Sequence, residues 1–302
     1  MTAPSLAVTL SGLHRTFGDN ARAYVDCAIA VEQAGADQVV LADHVVMGNR
    51  TDRYPFGRFP FQPEEPWVEP LTTLSAIAGA TSRVRLVTGI LIAPLRPAVL
   101  MAKTIATLDA LSGGRVDLGV GVGWQPEEYE AVGVPFQHRW SRLDDTMRAC
   151  RTLWRDVPAT FFSPTVSFRD IYCTPLPAQA RVPVWYGAAM TPRLASRIAE
   201  LGDGWYPVGA PTAGELRAGA DLARAALADA GRDPAELGLR RGLVPVRTEG
   251  GDVDLPATMA AVPELREAGV TVFGITLRAG LETASGVEAY VAAAVRAFQE
   301  VG

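Results

Sequence analysis

VRLVTGILIAPLRPAVLMAKTIATLDALSGGRVDLGVGVGW, residues 84–124, holds one complete unit of the architecture. Val84–Gly89 is a short apolar run with β-branched residues, Pro97–Leu111 carries apolar residues at helical spacing, and Val116–Val120 is a second strand-like run. Strand, helix and strand in that order imply a crossover joining parallel strands. Apart from Arg85, Val84–Thr88 is a continuous apolar and β-branched run, as expected of a strand covered on both faces. Between helix and second strand, Ser112-Gly-Gly-Arg115 supplies the turn.

The same alternation extends in both directions. Strand-like runs fall at Leu6–Leu10, Gln38–Ala42, Val84–Gly89, Val116–Val120, Val182–Tyr186, Gly204–Val208, Gly242–Val246 and Val270–Leu277. Helix-like segments fall at Ala21–Ala34, Pro70–Ala80, Pro97–Leu111, Ser141–Trp154, Pro192–Leu201, Ala213–Ala230, Pro256–Ala268 and Val287–Gln299. Asp19 is positioned to cap the first helix and Gly35 to end it, while Pro97 and Pro192 suit a first helical turn. Eight such units predict an α/β fold, a (β/α)8 TIM barrel in a single domain over 1–302; a doubly wound open sheet, built from the same alternation, is the alternative. Asn49–Glu69 and Asp156–Ala180 interrupt the rhythm, the second with a hairpin signal at Thr160–Phe168, and both read as insertions after strands. In a barrel such loops build the mouth, so either is a candidate lid; for the second, a place at the barrel bottom or on an oligomer face is an equal reading.

Composition narrows the function. With 48% hydrophobic and 20% charged residues the chain reads as globular, and its 302 residues suffice for one large core. The net charge is −5 and the arginines are dispersed, so the basic footprint of a nucleic-acid binder is missing. Cys27, Cys150 and Cys173 have neither disulfide-framework nor metal spacing, which fits a reducing cytoplasm and no metal. Neither a secretory leader nor a membrane-spanning run is expected from the sequence.

Several residues invite chemistry. Asp43-His44 ends the second strand, where an imidazole faces a barrel mouth and can exchange a proton near neutrality; a structural histidine bonded to loop backbone is the alternative. His14 follows the first strand and is placed at the same mouth, and His138 precedes a helix. Gly121 and Gly123 leave the fourth strand and would let a planar ring approach. They do not form a phosphate loop, because Trp124-Gln-Pro-Glu stands where a lysine or a helix start is needed. Glu127 and Glu128, just beyond Trp124, are nearby candidates for an acid, though they read first as solvated carboxylates at a helix start. Thr191-Pro192 opens a helix whose free N–H groups, with Arg193, suit an anion; a plain N-cap is equally compatible.

Taken in series, Gly35-Ala-Asp-Gln-Val-Val-Leu-Ala-Asp-His-Val-Val46, Tyr54–Phe61, Pro66-Trp-Val-Glu-Pro-Leu-Thr-Thr-Leu74, Leu108–Trp124, Gly133-Val-Pro-Phe136 with Arg139 and Arg142, Pro183-Val-Trp-Tyr-Gly187 and Gly202-Asp-Gly-Trp205 carry a family resemblance. By these segments, nearly end to end, the chain resembles the luciferase-like monooxygenases, in particular actinobacterial F420-dependent oxidoreductases. The resemblance implies a barrel holding coenzyme F420, or alternatively FMN, and acting on a small organic substrate as a homodimer. It implies a non-proline cis peptide between Gly89 and Ile90 behind the tricyclic ring. It further implies ring contacts from Asp43, Gly121 and Gly123, a phosphate site at Gly187, Ala188, Ala189, Met190, Thr191 and Arg193, and anionic-tail contacts from Arg139 and Arg142. His44 is then the acid/base residue, and His14, Trp67 and Trp124, with Phe56 and Phe59, shape the substrate pocket. Some relatives carry a proton-donating glutamate where Trp124 stands, so that role does not transfer. Three functions follow for testing: an F420-dependent hydride-transfer enzyme, an FMN monooxygenase fed by a reductase partner, and a non-catalytic flavin-binding protein.

Overall fold

The computed structural model describes residues 4–277 and 284–301. Eight parallel strands close a barrel: β1 (Ser5–Thr9), β2 (Gln38–Leu41), β3 (Arg85–Thr88), β5 (Val116–Gly121), β8 (Val184–Gly187), β9 (Gly204–Tyr206), β10 (Gly238–Gly242) and β11 (Val272–Thr276). The ring closes where Leu86 of β3 pairs with Val116 of β5, and where Ser5 of β1 pairs with Val272 of β11. The short β4 (Leu91–Ile92) resumes after β3 and pairs with the end of β5. This is the (β/α)8 barrel, and closure excludes the open sheet.

The helices α2 (Ala23–Gln33), α3 (Pro70–Ala80), α4 (Ala98–Ser112), α6 (Arg139–Arg155), α7 (Pro192–Leu201), α8 (Ala213–Asp229) and α11 (Ala284–Val301) surround it, with shorter helices α1 (His14–Phe17), α5 (Pro126–Ala131), α9 (Leu255–Met259) and α10 (Val262–Glu267) between. The continuous core lies between sheet and helices, including Val39, Leu86, Leu118 and Val184 from strands and Ile77, Ile105 and Leu153 from helices. Among the described residues no helix is long and apolar enough to cross a membrane. The three cysteines are buried and unbridged.

Inside the barrel, Ala7, Val40, Val87, Trp185 and Val272 form a second, small cluster. Trp185 fits because its neighbours across the sheet are glycines: a Cβ on Gly204 or on Gly238 would stand 2.3 Å from the indole. Gly204→Ala is therefore expected to cost about 3 kcal/mol by overpacking, read as a lowered midpoint in thermal or denaturant unfolding; an unchanged midpoint would contradict the packing.

Three expectations need correction. The seventh strand is Gly238–Gly242, not Gly242–Val246, because Gly-Leu-Arg-Arg-Gly hides its barrel face behind a charge. Arg240 is 1% exposed, donates to Gln38 at 2.6 Å and lies over Trp185 and Tyr206, and burial pushes its guanidinium pKa down. Asp19 caps nothing: α2 begins at Ala23, and Asn20 Oδ1 accepts from the Arg22 N–H at 3.1 Å. The helix expected over Pro256–Ala268 is broken into α9, capped by Asp254, and α10.

Of the two insertions, only the first follows a strand. The second forms the hairpin of β6 (Ala159–Phe162) and β7 (Ser167–Ile171) after α6 and before β8, with Thr165 held by Asp145 of α6. It is not at the strands' carboxyl ends, and none of its residues lines the cavity described below.

Candidate active site

A cavity of about 790 Å3 opens where the exits of β2, β3, β5 and β8 converge. Fifteen expected site residues line it: His44, Asp43, Gly89, Ile90, Gly123, Arg139, Gly187, Ala188, Ala189, Thr191, Arg193, Phe56, Phe59, Trp67 and Trp124. The four others, His14, Gly121, Arg142 and Met190, do not.

The back wall is built by Ile90, whose peptide bond with Gly89 is cis. A Cβ on Gly121 would stand 2.7 Å from the Ile90 side chain, and one on Gly187 2.6 Å from it. Gly121 thus makes room for Ile90, and it does not itself line the cavity. Sequence alone cannot tell the two uses of a glycine apart. Gly123 has φ of +63°, a conformation that favours glycine, and turns the chain toward Trp124.

Asp43 lines the cavity, yet its carboxylate is occupied. It accepts from the Ile92 N–H at 2.8 Å and pairs with Arg96 at 2.6 and 3.0 Å. Burial opposes the Arg96 charge, but bonds to Asp43 and Glu69 outweigh it and raise the guanidinium pKa. Asp43 therefore braces the β2 exit against β4.

His44 is the next residue, and one carboxylate meets it that the sequence misplaced. Glu128, expected in solvent, is fully buried: Oε1 accepts from the Val45 N–H at 3.0 Å and stands 3.1 Å from His44 Nδ1. That approach is close enough for an ion pair but outside hydrogen-bond geometry, and Glu128 Oε2 has no partner. The Nδ1 side of the ring is buried, which leaves the Nε2 side for the cavity. The geometry thus sets a carboxyl group behind one imidazole nitrogen and turns the other toward the cavity. The burial comes from the strand exit folding back: the Gly48 N–H also donates to Gln125 at 2.7 Å, just before α5. The sequence offered Glu128 as a nearby candidate acid but not its burial.

The loop from Tyr54 to Trp67 carries the aromatic wall. Tyr54, Phe59 and Trp124 meet one another at 5.1 to 5.3 Å between centroids, and Trp67 is 4.6 Å from His44, edge to face. Burial raises the Tyr54 phenol pKa, so it stays protonated. His14 anchors this loop from outside the cavity, where Nε2 meets Glu65 Oε2 at 2.7 Å. Arg15 also binds Glu65 and holds its carboxyl down at about 2. Phe61 and Tyr54 were not singled out in the sequence because an aromatic there reads equally as core.

The β8 side is cationic. α7 opens with Thr191 accepting from the Leu194 N–H at 3.1 Å, and Thr191 and Arg193 are exposed. Met190 instead packs against the core beside Gly219, and Arg142 donates to the Pro94 carbonyl at 3.1 Å, bracing the loop after β4. Arg139 lies 3.9 Å over the Phe136 ring, and its Nε is buried without a partner. Arg197 and Trp140, unforeseen in the sequence, complete this side, with Arg197 paired to Asp144 at 2.7 and 3.0 Å.

Fold and cavity define a barrel protein with a large open cavity at the carboxyl ends of its strands. The chain belongs to the luciferase-like monooxygenase family, whose sequence model matches residues 4–247. An uncharacterised protein of Mycobacterium tuberculosis is 39% identical over 141 residues, covering 47% of this chain and 49% of its own. An F420-dependent glucose-6-phosphate dehydrogenase of Kineococcus radiotolerans is 34% identical over 185 residues, covering 60% and 50%. The chain thus spans about half the length of these curated relatives. Among solved structures, an F420-dependent secondary alcohol dehydrogenase in complex with an F420–acetone adduct superposes with a TM-score of 0.77 at 17% identity, covering 98% of this chain and 99% of the other; this likeness concerns the fold.

Proposed function

We propose that the protein is an oxidoreductase that exchanges a hydride between coenzyme F420 and a small organic substrate. The observation that carries this reading is the buried Glu128 against His44, at the edge of a cavity whose β8 side is cationic. The likeness to a relative named as F420-dependent supports the deazaflavin over FMN.

The residues present fit such a cofactor. Gly89 and Ile90 would back a planar ring, and the open start of α7 with Arg193 and Arg139 offers positive charge to a phosphate. The unpartnered Arg139 Nε is a donor awaiting an acceptor. When bound, the deazaflavin supplies hydride chemistry at a ring carbon. His44 Nε2 would take the proton from a carbinol oxygen as its carbon loses hydride, and return it to the carbonyl oxygen in the reverse direction. Glu128 would stabilise the imidazolium so formed. The aromatic loop would exclude water from the exchange.

In a fluorescence competition experiment the purified chain should bind F420 more tightly than FMN. Tighter FMN binding with oxygen-dependent turnover would reverse the assignment in favour of a monooxygenase supplied by a reductase.

A further inference from the structure

Resting on that reading for the role of His44, we propose that Glu65 is a positioning residue of the site. Its carboxylate clasps the aromatic loop to α1 and thereby holds Trp67 and Phe59 against the His44 ring.

The loop has no regular structure to hold it. From the end of the short turn Thr51–Arg53 to Pro70, where α3 begins, the chain forms neither helix nor strand. Pro55, Pro60, Pro63 and Pro66 carry no N–H for a ladder to use. The entropy of ordering these residues is therefore offset by side chains. Phe59, Phe61 and Trp67 bury apolar area, but that force has no direction and is satisfied by many arrangements. A fixed geometry at His44 asks for directed bonds.

Glu65 provides them. Its side chain is 13% exposed, and both carboxylate oxygens are engaged. Oε2 meets His14 Nε2 and accepts from Arg15 Nε, each at 2.7 Å. Oε1 accepts from the Gln62 N–H at 2.7 Å and from the second prong of the Arg15 guanidinium. Arg15 also donates to the Pro60 carbonyl at 3.1 Å and lies 5.3 Å over the Phe61 ring. A two-pronged guanidinium–carboxylate contact fixes orientation as well as distance. α1 follows β1 with no element between them, so the clasp refers the loop to the frame of the barrel. From Phe61 the contacts run inward: its ring centroid is 4.8 Å from Trp67, and Trp67 and Phe59 stand 4.6 and 5.8 Å from His44. Glu65 itself does not line the cavity, so it acts through these rings.

The test uses two readouts on the full chain, neither of which needs cofactor or substrate. The first is trypsin cleavage after Arg58, an exposed residue next to the buried Phe59. Glu65→Ala should speed that cleavage about tenfold, because it follows opening of the loop, and Glu65→Gln, which keeps an acceptor, about threefold. The second is the ring Cε1–H signal of His44 in protein labelled with 13C-histidine. With three histidines in the sequence, each signal is assigned by replacing one residue at a time. In Glu65→Ala the His44 signal should shift or broaden while that of His138, before α6, stays in place, and Glu65→Gln should restore part of the wild-type spectrum. Arg15→Lys, at a side chain 39% exposed, repeats both measurements should the Glu65 variants misfold. Cleavage as slow as in the wild type, or faster cleavage with the His44 signal unmoved, would overturn the proposal. F420 binding is titrated separately. No F420 bound with both readouts changed defeats the cofactor reading alone, and F420 bound with both unchanged defeats the clasp alone.

Discussion

His44→Ala is expected to slow turnover about a hundred- to ten-thousandfold while F420 affinity stays near the wild-type value. The ring contributes little to the cradle, whose back wall is Ile90 and whose cationic side lies at α7. What the substitution removes is the titratable nitrogen facing the cavity, with its neighbour Nδ1 buried against Glu128. The measurement is the rate of F420 oxidation or reduction, at its absorbance band, with a substrate on which wild-type turnover has been detected. Undiminished turnover would remove the acid/base role, and lost cofactor binding would make His44 part of the cradle.

Glu128→Gln separates charge from shape. Glutamine preserves the volume and the acceptor for the Val45 N–H, which Glu128 engages at 3.0 Å, but removes the acidic group that the proposed mechanism sets against His44. The expected result is a fall in kcat of about ten- to a hundredfold, with KM nearly constant. Glu128→Asp, which returns the charge one methylene shorter, should recover part of the loss. Equal losses for both variants would point to packing and defeat the electrostatic role. Because Gln keeps the volume and the acceptor, the midpoint of unfolding should not fall with kcat.

The two variants also mark how far the sequence could be read. His44 was legible because a strand end in a barrel points its side chains at the mouth, whatever the loops do. Glu128 was not. Pro126-Glu-Glu-Tyr129 has the local pattern of a helix start with solvated carboxylates. Glu128 became buried only because the segment after β2, some eighty residues earlier in the chain, folds over it through the Val45 and Gly48 N–H groups. Gly121 and Gly187 show the same limit from the other side. Their lack of a side chain was visible, but whether the vacant volume would hold a ligand or the Ile90 side chain depended on β3 and β4 passing beside β5 and β8. The seventh strand escaped detection because Arg240 is tolerated inside by Gln38, Trp185 and Tyr206, partners from three other strands.

What the sequence by itself determined was the succession of strands and helices, the residues standing at strand ends, and the resemblance that names the family. These depend on side-chain period and on turn chemistry within a few residues, and both are written locally. What only the tertiary structure decided was which residues of that set share a space. It left His14, Gly121, Arg142 and Met190 out of the cavity and put Glu128 behind His44. Closing the sheet fixes distances between residues far apart in the chain, and burial, pairing and the charge of a site all follow from those distances.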